Sequence, residues 1–152
     1  NDSKMVSIFA HAERDVSKAQ VKSWLLKDGE PGYIDLANKE LLSFLDGFII
    51  EKRGKQEGVK LVKNMLINNN IIFRKLKIAL NLREEAILDM YQSVNMRISK
   101  HELSSFFRNP KQAQYRPCQD QFLRNFLQGI QNHYREDENK KTIRDRITKS
   151  DR

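Results

Sequence analysis

The chain is poor in the residues that cross-link small domains or shape cofactor-binding loops: its 152 residues include one cysteine, three prolines and six glycines. One cysteine excludes an internal disulfide and a thiolate cluster for a structural metal, and it fits a reducing cytoplasm. Charges interrupt every apolar run, so no segment approaches the roughly 20 apolar residues of a membrane-spanning helix. The first residues show no signal peptide. We expect a soluble, cytoplasmic protein without a membrane partner.

The residue groups that carry catalysis are missing as well. Cys118 would act as a nucleophile only if folding brought a histidine to it, and an ordinary, partly buried thiol is the simpler interpretation. Adjacent Glu84 and Glu85 are typical of a first helical turn rather than of an acid/base pair. The sequence therefore predicts no enzyme, no metal and no cofactor. The histidines are solitary, without the i,i+4 spacing of a helical zinc site: His11, His101 and His133.

Positive charge is abundant and unevenly distributed along the sequence. The net charge is +8, and residues 71–152 carry 17 basic and 10 acidic side chains, against 11 and 10 in residues 1–70. An excess of this kind is typical of a surface that binds a polyanion, because neutralised phosphates release counterions. A solubilising surface with a charged tail explains the same excess.

The sequence matches itself at an offset of 82 residues, without gaps, over residues 1–48. The segment VSKAQVKSWL (16–25) falls on ISKHELSSFF (98–107), and LLSFLDGF (41–48) falls on LRNFLQGI (123–130). Other positions keep apolar character in register, which indicates a duplicated helical unit. The identical pairs are Ser17/Ser99, Lys18/Lys100, Ser23/Ser105, Tyr33/Tyr115, Leu41/Leu123, Phe44/Phe126, Leu45/Leu127 and Gly47/Gly129.

Apolar periodicity and capping residues divide each repeat into helices. Asp2 or Ser3 is expected to cap the first helix, and the pairs Ser17–Gln20 and Ser99–Glu102 form capping-box patterns before the second helix of each repeat. Since no segment alternates like a strand, we predict an all-α fold. It consists of two tandem homologous units of about three to four helices each.

A loop leads to the third helix of each repeat. Asn38 is expected to cap this helix in the first repeat and Gly54 to end it, and Asp120 occupies the equivalent cap position in the second repeat. Gly47 and Gly129 fall at the same position inside this helix, where a glycine costs roughly 1 kcal/mol relative to alanine. Close approach of another backbone is the expected compensation, and a ligand touching the backbone is the alternative.

The second repeat is preceded by a predicted helix, NNNIIFRKLKIALNL (68–82), whose counterpart would lie before residue 1. We therefore expect the first unit to lack its N-terminal helix in this chain, which would leave Met5 and Phe9 with reduced cover. The predicted organisation is a first unit at 1–54, a linker at 55–67, a second unit at 68–134 and a charged C-terminal tail at 135–152.

Three segments of the sequence carry a resemblance to a known family: FLDGFIIEKRGK, INNNIIFRKLKIALNL and CQDQFLRNFLQGI. The chain resembles the YehS-like family of uncharacterised bacterial proteins, which contain two copies of a domain of unknown function. The resemblance covers residues 1 to about 133. It implies the two-unit helical architecture and supplies no activity, substrate or site residue.

Two features of the sequence point to binding. Residues 5–27 resemble a helix-turn-helix in outline, although the polar turn fits it poorly and two amphipathic core helices explain the same pattern. Basic residues also lie beside aromatic and amide residues, which is typical of contacts to phosphates and stacked bases. We predict a non-enzymatic module that binds DNA or RNA mainly through phosphates, and an alternative module that binds another protein through an apolar groove. The candidate nucleic-acid-binding residues are Lys52, Arg53, Lys55, Arg74, Lys75, Lys77, Arg108, Lys111, Tyr115 and Arg116.

Overall fold

The computed structural model describes residues 1–55 and 67–150, with side chains described as far as residue 135. The described residues form helices and no strands, which confirms the all-α prediction. Predicted linker residues 56–66 lie outside the described ranges. The helices are α1 (Asp2–His11), α2 (Lys18–Leu25), α3 (Asn38–Arg53), α4 (Asn69–Ala79), α5 (Glu84–Ser93), α6 (Lys100–Ser105) and α7 (Asp120–Ser150).

The chain divides into two compact units: an N-terminal unit, Asn1–Asn81, and a C-terminal unit, Leu82–Arg152. In the N-terminal unit, α3 packs against both α1 and α4, and α2 packs against α1. In the C-terminal unit, α5 packs against α7 and α6. Helix α4 was predicted to lead the second sequence repeat, yet it packs on α3 of the N-terminal unit.

The offset of 82 residues recurs in the hydrogen bonds. Ser17 caps α2 through a capping box with Gln20, and Ser99 accepts from the backbone N–H of Glu102 at the start of α6. After α1, Glu13 adopts φ +59°, and the equivalent residue after α5, Asn95, adopts the same angle. The two units therefore share helices, caps and the turn after their first helix.

Gly47 and Gly129 both lie where another helix backbone crosses α3 or α7. A Cβ added to Gly47 would lie 1.9 Å from the carbonyl oxygen of Ile8, and one added to Gly129 would lie 2.7 Å from that of Met90. Ile8 and Met90 are themselves 82 residues apart. The predicted close backbone approach is confirmed in both units.

Several predicted helix ends differ from the structure. Asn1, rather than Asp2 or Ser3, caps α1 by accepting from the Ser3 N–H. Asn38 is the first residue of α3 and not its cap, and α3 begins without a side-chain cap. Asp120 likewise is the first residue of α7 and contributes its charge to the first turn. Gly54 ends α3 as predicted, at φ +80°.

The predicted charged tail begins within α7, which continues to Ser150. One further expectation is changed by the structure. Phe9 is fully buried, in a cluster with Val16 and Val21, so the expected loss of its cover is wrong. Trp24 and Phe44 pack against this cluster, with ring centroids 5.5 Å from that of Phe9.

Candidate functional site

The loops that lead into α3 and α7 occupy equivalent positions, and we name them the first loop (residues 26–37) and the second loop (residues 108–119). The backbone N–H of Tyr33 donates to the Glu30 carbonyl at 3.1 Å, and that of Tyr115 donates to the Gln112 carbonyl at the same distance. Both tyrosines are half-buried. These bonds close the same turn in each loop.

The side chains of Glu30 and Gln112 stabilise the start of each loop by hydrogen bonds. The Glu30 carboxylate accepts from the backbone N–H of Lys27 at 3.3 Å, and the Gln112 side-chain oxygen accepts from that of Asn109 at 3.2 Å. Glutamate and glutamine have the same shape and both offer the accepting oxygen. The loop geometry therefore does not require a charge at this position.

A third pair of bonds ties each loop to its preceding helical segment. The Ile34 N–H donates to the Ser23 carbonyl at 3.2 Å, and the Arg116 N–H donates to the Ser105 carbonyl at 3.1 Å. The loops differ locally, because Gly29 and Gly32 of the first loop have φ +88° and the second loop contains no residue with positive φ. The shared framework consists of the hydrogen bonds rather than of every dihedral angle.

The two loops carry opposite charge on this shared framework. The first loop has three acidic residues and one lysine, whereas the second loop has three basic residues and no acid. The basic residues are Arg108, Lys111 and Arg116, of which Lys111 and Arg116 are exposed and Arg108 is half-buried. The Nε atom of Arg108 is buried and has no hydrogen-bond partner within the described residues. The second loop is therefore a compact concentration of positive charge.

The tyrosines of the two loops differ in their partners. The Tyr33 hydroxyl donates to the Asp35 carboxylate at 2.5 Å, and this hydrogen bond raises the pKa of Tyr33. At the position equivalent to Asp35 the second loop has Pro117. The second loop contains no acidic residue that could take the place of Asp35.

The candidate residues of the N-terminal unit lie at the end of α3 and on α4. Lys52, Arg53 and Lys55 are exposed, and the Lys52 ammonium lies 5.9 Å from the centre of the Phe48 ring. Arg74 is exposed on α4, and Lys77 on the same helix is half-buried.

Lys75 has a structural partner. Its ammonium forms an ion pair with the Asp46 carboxylate of α3, and both side chains are largely buried. Since α3 and α4 pack together, this pair joins two helices of one unit. The charge of Lys75 is thus neutralised within the fold.

Cys118, the last candidate for chemistry in the loops, is buried. Burial, with a smaller contribution from Asp120, raises the pKa of its thiol to about 11. A thiol with such a pKa is protonated at neutral pH and is a poor nucleophile. Within the described residues no group of three or more histidine, cysteine, aspartate or glutamate side chains is placed to hold a metal. No described helix is long and apolar enough to cross a bilayer.

Sequence reasoning missed the first loop as a surface of its own. The alignment of the sequence with itself at an offset of 82 could have revealed this surface, because Asp28, Glu30 and Asp35 align with uncharged residues of the second loop. Exposed apolar side chains accompany these acids: Leu25 is 58% exposed, Ile34 55% and Leu36 37%. The structure thus places a basic loop on one unit and an acidic loop with apolar neighbours on the other.

Two small helical units with equivalent loops define an all-α protein of two similar units. The chain belongs to the family described as "Protein of unknown function (DUF1456)", which matches residues 1–54 and 69–136. It is 37% identical over 131 residues to "Uncharacterized protein YehS" of Escherichia coli (strain K12), across 86% of this chain and 84% of that relative. No solved structure matches the chain.

Proposed function

We propose that the protein is a non-enzymatic, cytoplasmic nucleic-acid-binding module that contacts phosphates chiefly with the second loop. The main support for this proposal is that two loops with the same hydrogen bonds carry opposite charge. The second loop has three cations and no acid, whereas the first loop has three acids and one lysine. Because both loops keep the same backbone hydrogen bonds, the geometry of the loop does not require the cations. Binding of a polyanion does account for them.

The second loop also offers groups that suit a nucleic acid beyond its charge. In the sequence, half-buried Tyr115 is followed by Arg116 and preceded by three exposed amide side chains, which are donors for phosphate and sugar oxygens. A partly exposed ring supplies a stacking surface for an unpaired base. We expect little sequence discrimination, because phosphate contacts position a protein without specifying bases. The amide side chains are those of Asn109, Gln112 and Gln114.

The N-terminal unit contributes less in this proposal. Each unit carries 14 basic and 10 acidic residues, so the charge excess of residues 71–152 reflects where α4 falls in the sequence rather than a more basic C-terminal unit. Lys75 of α4 is neutralised by Asp46. The exposed cations Lys52, Arg53 and Lys55 remain as a secondary contact.

A salt titration of binding tests the proposal. If about four phosphates are neutralised, log affinity for DNA or RNA should fall against log salt with a slope of roughly 3 to 4. The double substitution Lys111→Gln/Arg116→Gln should reduce that slope by about 2 for all sequences alike. The matched control is Arg97→Gln/Lys100→Gln, which removes two exposed cations of the same unit outside the loop and should leave more of the slope intact.

Two results would contradict the proposal. The first is absence of binding to either nucleic acid at low salt, and the second is an equal loss of affinity in the loop variant and the control. The second candidate function, binding to a protein, would then be preferred. It is favoured by the exposed apolar side chains of Leu25, Ile34 and Leu36 beside the first loop.

A further inference from the structure

The surface around the first loop combines exposed apolar side chains with acidic ones. The bond from the Ile34 N–H to the Ser23 carbonyl holds Ile34 beside the last turn of α2, where Leu25 lies. Leu25 and Ile34 are each more than half exposed. Asp28 and Asp35 lie on the same loop and are exposed. An apolar centre with a charged rim is the usual composition of a protein interface.

We propose that this surface docks on the second loop of a second copy of the chain. The complementarity lies in the net charges of the loops, which are −2 for the first loop and +3 for the second. The second loop also offers apolar surface for Ile34 and Leu25, because Pro110 and Pro117 are exposed and Tyr115 is half-buried. Opposite potentials across such a contact steer the encounter and fix its register.

The contact joins different surfaces of two copies, so it is heterologous. In such a pair, one copy keeps its basic loop available and the other copy keeps its acidic loop, so association extends further or closes into a ring. The second loop is the same surface that the proposed function assigns to phosphates. This inference rests on the proposed function, and it adds that a nucleic acid and a second copy of the chain compete for the second loop.

Sedimentation velocity of the full chain, without any nucleic acid, tests the contact. At about 0.05 M salt the sedimentation coefficient should rise with protein concentration, and about 0.5 M salt should weaken the association by about tenfold or more, because exposed charges are screened. The association should then be lost in either of two variants. Asp28→Lys/Asp35→Lys makes both loops basic, and Lys111→Glu/Arg116→Glu makes both acidic.

The decisive sample is a mixture of the two variants in equal amounts. Each variant alone should be monomeric, and the mixture should associate again because acidic loops meet basic loops. The control Arg97→Glu/Lys100→Glu changes two charges outside the loops and should associate as the unchanged chain does. Circular dichroism of each variant establishes that its helices are intact.

A chain that is monomeric at low salt over the whole concentration range overturns the inference. Association that survives in both loop variants, or a mixture that stays monomeric, also overturns it. Since no nucleic acid is present, these outcomes leave the proposed function untouched. Conversely, a failed nucleic-acid titration leaves the result of the mixing experiment intact.

Discussion

Gly47 shows how a single atom decides the packing of the N-terminal unit. A Cβ at this position would lie 1.9 Å from the Ile8 carbonyl oxygen and 2.8 Å from its carbonyl carbon, and both atoms belong to the backbone of α1. Backbone cannot move aside as a flexible side chain does. The equivalent contact at Gly129, 2.7 Å from the Met90 oxygen, is tight but less so.

We therefore expect Gly47→Ala to destabilise the protein by about 3 kcal/mol, despite the roughly 1 kcal/mol that alanine gains over glycine inside a helix. Gly129→Ala should cost about 1 to 3 kcal/mol. Urea unfolding followed by circular dichroism measures both, with Gln131→Ala on the exposed side of α7 as a neutral control. An unchanged unfolding midpoint for Gly47→Ala would remove the packing explanation.

Arg14 and Glu40 form an ion pair at positions that carry apolar side chains in the C-terminal unit. Two guanidinium nitrogens of Arg14 donate to the Glu40 carboxylate at 2.8 to 3.1 Å, and this hydrogen bond raises the pKa of Arg14. The equivalent residues of the C-terminal unit are Met96 and Phe122. The two positions that form an ion pair in one unit are therefore both apolar in the other.

A double-mutant cycle tests this correspondence. Arg14→Met alone should cost about 1 to 3 kcal/mol, because it leaves the mostly buried Glu40 carboxylate without its partner. Adding Glu40→Phe should recover part of the loss, since both partners then match the C-terminal unit. Urea unfolding of the four proteins gives the coupling energy, and simple additivity would contradict the prediction.

The thiol of Cys118 should react slowly with alkylating reagents near neutral pH. Burial raises its pKa to about 11, so its thiolate fraction at pH 8 is small and rises with pH up to that value. The rate of alkylation by iodoacetamide should therefore keep rising above pH 9, where the rate for an exposed cysteine levels off. The protein in urea provides the control, and a native rate that levels off near pH 9 would contradict the assignment.

At the scale of the helices, the sequence repeat and the packing place α4 differently. The repeat assigned it to the second unit, because the offset of 82 aligns Arg83, just beyond this helix, with residue 1. The sequence of α3 indicates the other assignment, in which α4 packs on α3. Leu42 and Leu45 lie on the side of α3 away from Gly47, and both are buried. Such a stripe needs a partner helix, and the helices of the first repeat alone do not supply it.

The same stripe on α7 has a different composition. Arg124 stands at the position of Leu42, and Leu127, at the position of Leu45, is 45% exposed, whereas Leu45 is 3% exposed. Within the described residues of the C-terminal unit, α7 has no partner on this side that corresponds to α4. Identical residues at equivalent positions thus meet different surroundings, which the sequence of one repeat does not reveal.

Leu45→Ala and Leu127→Ala form a matched pair for this difference. Leu45→Ala should cost about 2 to 5 kcal/mol through lost burial and a cavity between helices, and Leu127→Ala should cost less than about 1 kcal/mol. Thermal or urea unfolding measures both. Equal losses would show that the side of α7 bearing Leu127 is covered in solution.

At the scale of the whole molecule, the sequence predicted the helical class, the two similar units, the glycine contacts, the caps at Ser17 and Ser99 and the end of α3 at Gly54. These features depend on residues close in sequence or on a comparison within the chain. The positions of Lys75 and of the acidic first loop depend on which helices pack together and which side chains face each other. Asp46 beside Lys75 is 29 residues away in sequence, and no local pattern marks the pair.

The boundary between the two units can be tested with fragments of the chain, because the sequence repeat and the packing place it at different residues. The repeat puts α4 with the second unit at residue 68, whereas the contacts put it with the N-terminal unit, which ends at Asn81. If packing decides, a fragment of residues 1–81 should unfold cooperatively. A fragment of residues 1–67 should be less stable by several kcal/mol, since removal of α4 uncovers the side of α3 that it packs on and takes the Lys75 ammonium away from Asp46.

Thermal unfolding of the two fragments, followed by circular dichroism, measures the contribution of α4. Fragments 68–152 and 82–152 form the reciprocal pair, and they should unfold at similar temperatures because the helix that α4 packs on, α3, is absent from both. If residues 68–152 are clearly more stable than 82–152, while 1–67 and 1–81 unfold alike, the boundary given by the repeat is the physical one. Helix α4 would then belong to the second unit in solution.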